Sequence, residues 1–271
     1  MGAFYETIPN SLKSWILNQK MLWVATAPLS AQGHINISPK GGQHFGILDE
    51  RTFWFMDLSG SGIETTAHLN EPGNGRICVM FQAMEGPPRI VRIWGVGTAL
   101  ESGTPEYSSF VKEHNVKTLY HSRSIIVVDI HQVGSSCGFS VPFYEFKGWR
   151  NTLDEVFEKK KKKYEEGKEE ESMERYWAWK SQASIDGLPG MRRGMEVAKR
   201  EGVAPLKKMV GAWAVENRQR LRREGRRVDG VYLLVVGLLG VVIGMVVVAM
   251  GVEPETVGLV QERLRVFQWL G

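Results

Sequence analysis

Cysteine is scarce in this chain: there are two, Cys78 and Cys137, among 271 residues. That is too few for a disulfide framework, and Cys78 sits among Ile77, Val79 and Met80, where a buried reduced thiol is expected. Several signatures are missing too. There is no GxxxxGK[ST] loop, no G-x-G-x-x-G opening a helix, no H-E-x-x-H and no G-x-S-x-G. These absences argue against a P-loop NTPase, a Rossmann dinucleotide site, a zincin and an α/β-hydrolase. The six histidines (34, 44, 68, 114, 121, 131) lack metal-ligand spacing, and only His44 and His68 lie near polar clusters, so no metal is expected. A global charge excess is also lacking, with 34 basic against 30 acidic residues. The imbalance is local: from Gly187 to Asp229 twelve basic residues meet five acidic ones. The rest is mildly acidic, and no nucleic-acid partner is expected. The opening MGAFYETIPNSLKSW shows neither a signal-peptide succession nor the hydroxyl that myristoylation wants at the sixth position, so neither is expected.

What is present is apolar sequence, 43% of the residues, enough for one well-buried domain and a smaller appendage. One run stands apart. VYLLVVGLLGVVIGMVVVAMGV, residues 231–252, carries no charge and has about the ~20 residues that cross a bilayer core. It predicts a transmembrane helix, with Arg222, Arg223, Arg226 and Arg227 just before it placing the larger N-terminal part on the cytosolic side. The alternative is a buried apolar helix in a soluble cytoplasmic protein.

Along the chain, Asn10 with Leu12, Trp15 and Ile16 predicts a first helix capped by Asn10. Met21–Ala27 and His34–Ser38 predict a hairpin of two strands, and Arg51–Asp57 a third strand followed by a short helix near Glu64. Arg76–Gln82 and Arg89–Leu100 flank the turn AMEGPPR as a second hairpin. A helix opened by Thr104 and Pro105 precedes a strand over Ser124–Val133. Six strands without a long crossover predict a mainly β fold, an antiparallel barrel with flanking helices. Beyond it, Leu153–Lys180 reads as one highly charged, solvated helix. After the connector SIDGLPGMRRG, Pro205 opens a candidate basic amphipathic helix suited to a membrane surface.

Chemistry concentrates in polar interruptions of the strands. The first is HINISPKGGQ, where Ser38, Pro39, Lys40, Gly41 and Gly42 end an alternating run. A lone Lys between turn residues points either at water or at an anion, and glycine lets the backbone approach a phosphate. The second is DLSGSGIETTAH, residues 57–68, small hydroxyl residues leading into a helix, where an anion is favoured. A plain turn and a plain cap are the alternatives. The third is Arg89, Arg92 and Trp94, with Arg92 on the face opposite Val91 and Ile93.

The order of MLWVATA, HINISPKG, FWFMD, SGSGIETTAHL and RICVMFQAMEGPPRIVRIWGVGT resembles the pyridoxamine 5′-phosphate oxidase-like family of flavin-binding split β-barrels, over roughly residues 1–190. SRSIIVVDIHQVGSSCGFSVP and YWAWKSQASIDGLPG look like an uncharacterised subgroup. The resemblance implies a six-stranded split barrel that forms a homodimer and binds FMN at the subunit interface. It carries the phosphate-gripping role onto Lys40 with Ser38 and onto Ser59, Ser61, Thr65 and Thr66, with Arg76 and Arg92 as further cations on barrel strands. Of the R-x-V-x-L-K strand only the Lys is matched, and the vitamin-binding Arg and His have no counterpart.

The implied organisation is a barrel domain (1–145), a charged helix and connector (146–190), a basic amphipathic segment (191–229), a transmembrane helix (230–252) and a short tail (253–271). The implied function is an FMN-dependent oxidoreductase of unknown substrate. A flavin or flat-ligand storage protein and a membrane-tethered interaction module with a degenerate barrel are the alternatives.

Overall fold

The structure, a computed structural model, describes residues 2–217, 234–242 and 245. It falls into two units, Met1–Val210 and Gly211–Gly271. In the first, β1 (Ala3–Tyr5) and α1 (Asn10–Leu17) lead into β2 (Met21–Thr26), β3 (Asn36–Gly41), β4 (Phe45–Ile47) and β5 (Thr52–Leu58). Then come α2 (Glu64–Leu69), β6 (Arg76–Gln82), β7 (Ile90–Glu101), α3 (Pro105–Glu113) and β8 (Ser122–Ser136). All pairings are antiparallel, in the order β3-β2-β6-β7-β8-β5-β4, with β1 on β8. The result is a mainly β split barrel with flanking helices. Its six expected strands are joined by β1 and β4, each three residues long and too short to leave a periodic signal.

One face of the sheet holds the core. Leu22, Val24, Phe53, Phe55, Val79, Phe81, Val91, Ile93, Ile126 and Val128 are all buried there, and Leu12 and Ile16 of α1 pack into the same cluster. Phe45 and Phe53 meet Phe81 at 5.6 and 5.8 Å between ring centroids, although β4 and β5 are not neighbours of β6. The sheet has therefore curled until its interior is filled across the barrel. The register shifts between Trp94 and Gly95. A Cβ at Gly95 would stand 2.3 Å from the Asp129 carbonyl oxygen, so only glycine fits this bulge.

Several local expectations need correction. Asn10 is the first helical residue and not a cap, since Pro9 precedes it and makes no side-chain cap bond. The second strand does not stop at Ser38; β3 continues through Pro39, Lys40 and Gly41, because at the sheet edge a proline is tolerated. The single charged helix is broken. It becomes α4 (Thr152–Glu165), a 3-10 turn at Glu169–Glu171 and α5 (Met173–Lys180), because Gly167 takes a left-handed φ of 90° and Ser172 caps a new helix. The last helix of this unit is α6 (Arg192–Glu201), and Pro205 opens none. Residues after 202 are tied instead to the 179–183 segment, through Leu206 N–H to Trp179 O and Lys208 Nζ to Ala183 O.

The helices after the barrel form a cover. Phe157 of α4, buried, stacks on His121 at 4.9 Å and 6° and meets Tyr176 edge-on. Glu101, at the end of β7, accepts the N–H groups of Arg192 and Arg193 at 3.0 and 3.4 Å, so a barrel carboxylate caps α6. Gly190 passes so close to Ser181 O and Ile63 that a Cβ would lie 2.3 and 3.0 Å from them.

In the second unit, residues 234–242 are helical with exposed Leu and Val side chains. Among the described residues no helix is long and apolar enough to cross a membrane. Residues 231–233, 243–244 and 246–252 of the run where a spanning helix was expected lie outside the described residues, as does the tail.

The bulge gives a paired prediction. Gly95→Ala should cost about 1–3 kcal/mol or more through overpacking, while Gly41→Ala, which would meet nothing within 4 Å, should stay within about 0.5 kcal/mol of wild type. Denaturant unfolding of both variants measures this, and equal costs would overturn the account.

Candidate functional site

The register of β2 on β3 decides where the polar stretch points. Thr26, Val24 and Leu22 lie opposite Asn36, Ser38 and Lys40. Paired residues share a face, so Asn36, Ser38 and Lys40 project to the barrel interior side while Ile35 and Ile37 stand 78% and 65% exposed. Lys40 Nζ crosses to β5 and donates to Asp57 Oδ1 at 2.7 Å. Asp57 Oδ2 accepts from Arg123 Nε of β8, also at 2.7 Å. Asp57 is completely buried and Arg123 nearly so. Burial pushes the Asp57 carboxyl up, but the charges and hydrogen bonds of Arg123 and Lys40 outweigh it and hold the group at about 2, below the usual 3.8.

Three buried hydroxyls have no partner among the described residues: Ser38 Oγ of β3, Ser124 Oγ of β8 and Thr66 Oγ1 of α2. Ser38 shares the interior face with Lys40, and Ser124 lies directly across from Asp57. A buried hydroxyl left unpaired costs about 1–3 kcal/mol. Two cations against one carboxylate, with hydroxyl donors close by in the register, suit an oxyanion such as a phosphate ester.

The other expected residues divide. Ser59 is buried and its Oγ accepts from Trp177 Nε1 at 2.8 Å, while Thr65 Oγ1 accepts from Asn36 Nδ2 at 3.1 Å, so both hydroxyls already serve the fold. Ser61, Pro39 and Gly41 are exposed. Arg76 is exposed and donates to Asn74 Oδ1 and Pro28 O. Arg92 pairs with Met80 and Gly134 in the sheet, on the face opposite buried Val91 and Ile93, and so does not join Lys40. His68, wholly buried, shares a 2.9 Å hydrogen bond with Thr26 Oγ1, and burial lowers its pKa. His44 accepts the Met56 N–H through its carbonyl.

Sequence reasoning missed Asp57, Arg123, Trp177 and Ser181. The available signal was a charge interrupting an apolar strand: Asp57 closes TFWFMD and Arg123 opens SRSIIVVD, and a charge in such a place must find a partner. Lys208 was missed as well. Its Nζ donates to Ala183 O at 2.7 Å and lies 3.9 Å from Glu64 Oε1, and burial lowers it to about 8 against the pull of Glu64.

The chain is a split barrel with an ion cluster reaching its edge strand, and the relatives narrow its class. The pyridoxamine 5′-phosphate oxidase family protein ustO of Aspergillus flavus is 36% identical over 208 residues, covering 72% of this chain and 80% of ustO. The chain belongs to the pyridoxamine 5′-phosphate oxidase family. No family model matches. Among solved structures, HupZ of Group A Streptococcus is 22% identical with a TM-score of 0.37, covering 46% of this chain and 91% of HupZ. The FAD binding protein of Mycobacterium smegmatis is 11% identical with a TM-score of 0.34, covering 48% and 96%. At those TM-scores neither adds to the assignment, which rests on the fungal relative.

The ion cluster makes stability depend on acid. Because the folded carboxyl of Asp57 lies at about 2, below its ordinary 3.8, its contribution is complete above about pH 4 and is lost as pH falls towards 2. Asp57→Ala, which strands two cations, should lower stability by about 3–5 kcal/mol and flatten that acid limb. Urea unfolding from pH 6 down to pH 3 checks both.

Proposed function

We propose that the chain is a flavin-dependent oxidoreductase that binds FMN, with the phosphate end of the cofactor at the Lys40, Asp57 and Arg123 cluster. The observation that carries this reading is the pairing of two cations with one buried carboxylate, with the unpartnered Ser38 and Ser124 hydroxyls on the same strands, in a member of the pyridoxamine 5′-phosphate oxidase family. When bound, FMN supplies the redox chemistry by accepting and returning a hydride. The chain's own part is to bind and orient. Lys40 and Arg123 neutralise the phosphate, Ser38 and Thr66 donate to it, and Asp57 keeps both cations aimed. Such a division of labour needs no strong acid or base among the protein side chains.

The same reading assigns a homodimer to the outer face of the sheet. Ile35, Ile37, Phe4 and Val96 are exposed large apolar residues on strands β7 and β1 and at the β3 edge, and Trp23 of β2 keeps a buried indole N–H without a partner among the described residues. A second copy would cover this surface.

Purified protein should show a flavin absorption spectrum that bleaches on reduction and returns with turnover. A flavin spectrum that nicotinamide nucleotides and chemical reductants change without any substrate turnover would favour storage over catalysis. Lys40→Ala should weaken FMN binding by about 10–100-fold, the loss of one charge-assisted hydrogen bond. Fluorescence titration reads this directly, and unchanged affinity would sink the assignment.

A further inference from the structure

The joint between barrel and cover holds a titratable group that the flavin reading does not use. His121 ends the loop before β8, is buried, and accepts the Ser59 N–H at 2.8 Å through its carbonyl. Its ring lies flat on Phe157, the buried residue of α4. Phe157 in turn shares one apolar cluster with Ile63, just before α2, and with Met173, Trp177 and Met191 of the cover. His121 Nε2 is buried without a hydrogen-bond partner among the described residues, although Asp154 Oδ1 of α4 stands 3.3 Å away. One residue therefore holds the barrel through its backbone and the cover through its ring.

We propose that His121 is an acid-sensitive latch: neutral, it lets α4 dock on the barrel, and protonated, it releases α4 and loosens the cover above Ser59 and Arg123. The driving force is the cost of burying a charge. A neutral ring stacks on Phe157 as one apolar plate on another, whereas an imidazolium brings a charge and a second N–H into a joint with no aligned acceptor. The charged groups facing the ring pull both ways. Asp154 and, one turn on, Glu158 of α4 favour the protonated form, and His44 of the β3–β4 turn opposes it. Asp154 is 56% exposed, so water and salt screen its share. Burial is the largest influence and leaves the imidazole below its ordinary 6.5.

A histidine held below its free value supports docking fully above about pH 6.5, and that support is lost as pH falls further. The acid limb of Asp57 lies lower, below about pH 4, so the two do not overlap. Release at α4 reaches the rim of the barrel directly. Trp177, which donates to Ser59, packs in the same cluster as Phe157, and Ser181, which contacts Arg123, follows at the end of the same helix. None of this depends on what the barrel binds.

Hydrogen exchange of the full-length protein, followed peptide by peptide at about pH 7.5 and about pH 5.5 and corrected for the intrinsic effect of pH, tests the latch. Protection over residues 152–181 should fall several-fold in acid relative to β6 and β7, with about tenfold as the ceiling for one titrating imidazole. His121→Gln, polar but never charged, should remove the acid effect while retaining His68, the other buried imidazole, which sits against Thr26. Asp154→Asn withdraws a carboxylate that favours the imidazolium, so its acid loss should be at least as large as that of wild type. Should His121→Gln fail to fold, Asp154→Asn decides alone. An acid loss that is absent from wild type, that survives intact in His121→Gln, or that shrinks in Asp154→Asn overturns the proposal, the last because it would place the titration on Asp154.

Discussion

The carboxylate of Asp57, buried between Lys40 and Arg123, is the constraint on which the rest of this protein hangs. It joins the edge strand β3 to β5 and β8, a neighbouring pair that the sheet order separates from β3 by β2, β6 and β7. Backbone pairing alone holds β3 only to β2. The ion cluster draws the free edge inward, and the phenylalanine contacts across the barrel show the same curl from the apolar side. A charge so deeply buried survives because both of its oxygens are bonded to cations, and those bonds fix the Lys40 and Arg123 side chains in single directions.

How much of this could be read beforehand varies with the physics of each element. Both hairpins, the antiparallel arrangement and α3 with its Thr104 cap were legible, because turn chemistry and capping are local. The facing of β3 was not. Ile35 and Ile37 look like the buried half of an alternating strand, yet the register with Leu22 and Val24 turns Ser38 and Lys40 inward instead. Alternation states that two faces differ and leaves open which one is inside. The ion cluster was half legible, in Lys40 alone, since Asp57 and Arg123 meet only across 66 residues of sequence. Likewise the hydroxyls of Ser59 and Thr65 carry the right chemistry for an anion, but partners remote in sequence, Trp177 and Asn36, have claimed them.

The cover shows why a charged run need not be a free surface element. Phe157 is the buried residue of α4, and its stack on His121 anchors an otherwise solvated helix. His121 Nε2 lies 3.3 Å from Asp154 Oδ1 without the alignment of a hydrogen bond, and burial lowers the imidazole pKa. Glu101 extends the same logic to α6, whose first N–H groups find their acceptor on the barrel and not in their own helix. Barrel and cover thus share their polar groups and fold as parts of one unit.

Pro39 has an effect that reaches beyond the single chain. It occupies the middle of β3, the strand at one end of the sheet, and a proline offers no amide hydrogen to a further strand. A neighbouring molecule therefore cannot add itself in register along that edge, and the sheet cannot grow into a continuous ribbon there. The strand that carries Lys40 thus also guards its own edge against strand addition, the first step of sheet-driven aggregation.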